Sequence, residues 1–98
     1  MTKKYIANSF QVPNAIVDEV MAKVSGNAFK CYMYIVRKTT GWGKESDRIS
    51  TTSFMKAAGI SKKPTVYKAL EELESLGLII TEKKLGQINS FCLNFNHL

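Results

Sequence analysis

Residues 51–77 read TTSFMKAAGISKKPTVYKALEELESLG, and this stretch decides the fold. Phe54, Met55, Ala57 and Ala58 give a short apolar helix that Gly59 stops, with Ser50 or Thr51 placed to cap it. Ile60 is an apolar plug in the turn, and Ser61 is positioned to cap a second helix. In that helix Val66, Ala69, Leu70, Leu73 and Leu76 fall on one face at about 100° per residue. Gly77 is its C-terminal stop. A short helix, a tight glycine turn and a longer helix make a helix-turn-helix.

Beyond Gly77 the chain is strand-like. Leu78 to Lys83 forms one run, Lys84-Leu85-Gly86 turns the chain, and Gln87 to Phe95 forms another, with Phe91, Leu93 and Phe95 alternating onto one face. A hairpin directly after a helix-turn-helix is a wing. Arg48-Ile49-Ser50 can add a third strand. The fold class is mainly α with a three-stranded sheet, a winged helix-turn-helix.

Upstream, residues 1–12 read as an arm carrying Lys3 and Lys4, and 13–98 as one domain. Pro13 opens a first helix with a stripe of Ile16, Val17, Val20, Met21 and Val24. Ser25-Gly26 ends it, and Ser25 or Asn27 caps a second helix containing Phe29, Cys31, Tyr32, Met33, Tyr34, Ile35 and Val36. Being apolar on most sides, that helix belongs at the centre. Gly41-Trp42-Gly43 then breaks the pattern, with Trp42 expected as a packed anchor and Arg37, Lys38, Lys44 and Arg48 around it.

The chain has 98 residues, 45% apolar and 22% charged, which suits one small globular domain. No run approaches the ~20 apolar residues of a membrane span, and the N-terminus has no secretory apolar region. Cys31 and Cys92 lack metal spacing and read as reduced core thiols. The single histidine, His97, cannot build a triad or a zinc site. Gly41-Trp42-Gly43-Lys44 is not a phosphate loop, because the GxxxxGK[ST] spacing fails. The expectation is a cytoplasmic protein without catalysis, metal or cofactor.

Fourteen Lys and Arg against eight Asp and Glu leave a net charge of +6, with a pI near 9.5. That favours a polyanion, double-stranded DNA for this fold. On the fourth helix Pro64, Lys68, Glu71 and Ser75 lie opposite the core, with Thr65 and Tyr67 on the shoulders. Lys62 and Lys63 sit in its first turn, where cations oppose the helix dipole unless phosphate is near. Lys62, Lys63, Thr65, Tyr67 and Lys68 are therefore the expected DNA face, lysine meeting phosphate or guanine, and Thr or Tyr meeting phosphate or a thymine methyl. Glu71, Glu72 and Glu74 read as a solvated face further along. Lys83 and Lys84 at the wing tip suit phosphate contact, or blunt an exposed strand edge.

Three blocks carry a resemblance: Asn8-Ser9-Phe10-Gln11-Val12-Pro13-Asn14-Ala15, Arg37-Lys38-Thr39-Thr40-Gly41-Trp42-Gly43-Lys44 and Asp47-Arg48-Ile49-Ser50. With the helix-turn-helix from Gly59 to Ile79, they resemble the N-terminal domain of bacteriophage replication protein O over roughly residues 8–84. Pro64 departs from the family's pattern of a basic pair followed by Thr. The resemblance implies an origin-binding winged helix for phage or prophage replication initiation, often dimeric, whose C-terminal region recruits host replication proteins. That region is missing here, so the chain is either part of a longer initiator or a stand-alone domain. Two alternatives stay open: a winged-helix transcriptional regulator, and a protein-interaction module that binds no DNA. A homodimer is open as well.

Overall fold

The computed structural model describes residues 6–95, so Lys3, Lys4 and His97 lie outside the described residues. The chain enters through a π-helical turn, Ile16–Val20, and a 3-10 turn, Met21–Lys23. Helix α1 spans Gly26–Lys38, and a 3-10 turn follows at Thr40–Trp42. Strand β1 (Ser46–Arg48), helix α2 (Thr51–Ala58), helix α3 (Lys63–Ser75) and strands β2 (Ile79–Glu82) and β3 (Ser90–Leu93) complete it. The strands form one antiparallel sheet in the order β1-β3-β2. This is the winged helix-turn-helix expected from the sequence, with α3 in the place of the expected fourth helix.

Local chemistry sets most boundaries. Ser25 begins α1 in an extended conformation, its hydroxyl accepting from the Ala28 N–H at 3.2 Å, and Ser50 does the same for Ser53 at 3.1 Å. Helices α2 and α3 end alike. Gly59 and Gly77 take left-handed φ values of 67° and 71°. The next residues, Ile60 and Leu78, are buried and donate back five positions, to the Met55 and Leu73 carbonyls at 2.9 and 3.0 Å. This Schellman closure satisfies the last carbonyls while driving an apolar residue into the core.

Helix α1 is central, with Ala28, Cys31, Tyr32, Ile35 and Val36 all fully buried. Phe54 of α2 ties it to the sheet by edge-on ring contacts, 5.6 Å to Tyr34 and 5.2 Å to Phe91. Val66, Ala69 and Leu73 bring α3 into the same cluster, and Phe10 and Val12 pack on it from the arm. Burial pushes the Cys31 thiol up to about 11, so it is protonated and inert at neutral pH.

Several expectations need correction. The first helix is not a regular α-helix, and of its stripe Val17 and Met21 are exposed while Ile16 and Val20 are buried; the π turn directs only the latter two into the core. Strand β1 lies two residues earlier than Arg48–Ser50, because Ile49 turns into the core and Ser50 caps α2. Ala57, Leu76 and Phe95 are exposed rather than packed. Ser61 does not cap α3. Lys62 takes the cap position without a side-chain bond, since Pro64 lacks an N–H and is accommodated in the first turn when the helix begins at Lys63.

Candidate nucleic-acid interface

Helix α3 presents its basic residues before its acidic ones. Lys62, Lys63 and Lys68 are exposed, and among the described residues none of them forms an ion pair. With no side-chain cap at Lys62, the first-turn N–H groups keep the helix's positive end uncompensated beside these lysines. An anion docking there meets both.

Around that ridge the expected residues divide between two grooves. Thr65 and Lys68 face the start of α1, across a groove of about 430 Å³ that Ser25 and Asn27 complete. Tyr67, 54% exposed, turns the other way. It sits between α3 and the wing, where one groove of about 320 Å³ includes Thr81, Lys83 and Asn89, and an adjoining one includes Gln87 and Ile88. Thr65 and Tyr67 are thus on opposite shoulders, as the helical angle required. The fold brings Lys83 to the side of α3 that carries Tyr67.

The acidic trio points in different directions around α3. Glu71 and Glu74 line the wing groove, where they oppose phosphate along the second half of α3. Glu72 is structural: its carboxylate accepts from the Ser25 N–H at 2.7 Å and the Ser25 hydroxyl at 2.8 Å. It thereby anchors the α1 cap to α3, a role that contradicts the solvated reading. The wing lysines also differ. Lys84 pairs with Glu82 at 3.7 Å, both exposed, while Lys83 has no such partner among the described residues.

Sequence reasoning missed Gln87 and Asn89, the polar lining of the wing groove, because only the pairing of β2 with β3 brings them to α3. It also missed a contact of Arg48 and misread Trp42. Arg48 donates to the Ile88 carbonyl at 2.8 Å and so braces the wing. Trp42 itself is 61% exposed, not a packed anchor, with the Arg37 guanidinium 4.9 Å from its ring centre.

The family model described as bacteriophage replication protein O matches residues 5–95. The chain belongs to the replication protein O family. A solved structure described as "N-Terminal domain of DNA binding protein" superposes with a TM-score of 0.60, covering 95% of this chain and 84% of that one at 17% identity. At that identity the likeness shows the shared fold. A search of curated proteins finds no match. Within the replication protein O family, then, this member arranges its fold as a basic helix start flanked by two grooves and a wing. No helix among its described residues is long and apolar enough to cross a membrane, and no cluster there suits a metal ion.

Proposed function

We propose that the chain binds double-stranded DNA in phage replication, and that its sites lie in a replication origin. The first two turns of α3 enter the major groove, with Lys62, Lys63 and Lys68 on phosphate or guanine and Thr65 and Tyr67 on the flanking backbone or a thymine methyl. Lys83 and Lys84 carry the wing to neighbouring phosphates. The observation that supports this most is the polarity of α3: lysines at its start with no ion pair among the described residues, and Glu71 and Glu74 in the wing groove behind them. Docking is therefore end-on, because a helix laid along its full length would bring Glu71 and Glu74 to phosphate. Family membership supports the replication role over a regulatory one.

The test is a duplex titration across salt. Five lysines on phosphate give a slope of log K against log salt near about −4.5. A duplex carrying origin repeats should bind about 10³-fold or more tighter than random duplex. Absence of binding to either duplex at low salt contradicts the reading, and equal affinity for both contradicts origin recognition alone.

A further inference from the structure

The turn after α1 holds a large aromatic residue outward on an unusually constrained backbone. Buried Thr39 donates its hydroxyl to the Ile35 carbonyl at 2.7 Å, and Thr40 donates to that of Val36 at 3.3 Å. The N–H groups of Trp42, Gly43 and Lys44 fold back onto Thr39, Thr40 and Thr39 at 2.9, 3.0 and 2.8 Å. Gly41 is closely packed, since a Cβ would sit 3.2 Å from the Val36 carbonyl and 3.3 Å from the Phe10 ring. Gly43 takes the left-handed conformation at φ 68°. Such a turn needs no tryptophan for its own packing, yet it displays one.

One face of that indole is backed by Arg37, whose guanidinium lies 4.9 Å from the Trp42 ring centre and 5.7 Å from that of Phe10. A cleft of about 250 Å³ opens beside it, between Trp42 and the arm at Ile6 and Asn8. Lys38 follows, its ammonium 5.7 Å from the Tyr34 ring. Lys44 is neutralised by Asp47 at 3.6 Å, but among the described residues Arg37 and Lys38 face no carboxylate. The patch is an exposed indole with the Arg37 guanidinium against one face, and Lys38 is the next residue along α1.

We infer that Trp42, with Arg37 and Lys38, is a second binding site whose ligand is unpaired single-stranded DNA. A base stacks on the open face of the indole, and the cations meet the backbone on either side, the combination that binds single strands without reading sequence. Duplex bases are already stacked on each other and present no such face. The location keeps the two ligands apart. Thr65 and Lys68 flank the first residues of α1, whereas Trp42 follows its last, and thirteen helical residues span about 20 Å. One domain can then hold duplex at α3 and a melted strand at the far end of α1.

Trp42 is the only tryptophan, so its own emission reads the site. Oligothymidylate of about twelve nucleotides should quench it saturably at low salt. By anisotropy of a dye-labelled oligothymidylate, a signal independent of the protein's own emission, Trp42→Ala should weaken that binding about tenfold, with Trp42→Phe recovering part of the loss. Lys38→Gln should reduce the salt slope by about 0.7. None of the three should change duplex affinity, and the double variant Lys62→Glu, Lys68→Glu should lose duplex while keeping oligothymidylate. No quenching at low salt, equal quenching by duplex, or wild-type single-strand affinity in Trp42→Ala would each overturn the inference. The duplex reading fails or stands on separate residues and a separate titration.

Discussion

The two ends of α1 expose residues that the core does not use, and they do so on very different terms. At one end, the start of α3 displays lysines, which any solvated helix carries at little energetic cost. At the other, the Thr39–Lys44 turn displays an indole that loses the benefit of burial, on a backbone fixed by hydrogen bonds and two constrained glycines. The lysines carry meaning through their arrangement, all ahead of Glu71 and Glu74 and all without an ion pair among the described residues. Trp42 carries meaning by being exposed at all. Charge distribution matches this division. Residues 1–38 hold six basic and two acidic residues, while 61–98 hold five and four, so most of the excess lies away from α3.

That contrast can be broken in several ways. The largest expected effect belongs to Lys62→Glu with Lys68→Glu, which should abolish duplex binding while shifting stability by no more than about 0.5 kcal/mol. A matching affinity loss from Lys38→Glu would erase the distinction between the ends. Next is Glu72→Ala, which leaves the Ser25 cap without its carboxylate and should cost about 1 kcal/mol in denaturant unfolding. Glu71→Ala and Glu74→Ala should stay within about 0.5 kcal/mol, because among the described residues no hydrogen bond or ion pair holds their carboxylates.

Those acidic residues also mark where sequence reasoning stops. The caps at Ser25 and Ser50 and the stops at Gly59 and Gly77 are legible because each depends on a few adjacent residues. The partnership of Glu72 with Ser25 spans 47 positions and exists only once α1 and α3 pack. Strand β1 is displaced for a similar reason: pairing of Ser46–Arg48 with Ser90–Cys92 decides its register, and a three-residue strand has little propensity of its own. Pro64 moved the cap from Ser61 to Lys62 through its missing N–H. At the interface, the angular placement of Thr65 and Tyr67 followed from helical geometry, whereas the groove each one lines depended on neighbours far along the chain. Trp42 was misjudged because an aromatic beside glycines reads as an anchor, and only the backbone shows it turned outward.

Stability separates the exposed aromatic from the buried one. Trp42→Ala should cost no more than about 1 kcal/mol, the worth of an exposed cation–π contact, whereas Phe54→Ala, its buried counterpart, should cost about 3–5 kcal/mol. Alkaline unfolding gives the most gradual signal. The Cys31 thiol is raised from 9.0 to about 11 by burial, so between those values the unfolded chain gives up a proton that the folded chain keeps. Stability should fall as pH rises across that window. Cys31→Ala should flatten the decline in part, since burial also raises Tyr32.

The central claim, that the start of α3 and the wing grip duplex DNA, is tested most directly by mapping amide NMR shifts of this 98-residue chain as duplex is added. The account predicts the largest perturbations at Lys62–Lys68 and at 83–88, with Trp42 and its turn unmoved by duplex and shifted by oligothymidylate. Largest duplex-induced shifts at 37–44, with Lys62–Lys68 unmoved, would contradict it.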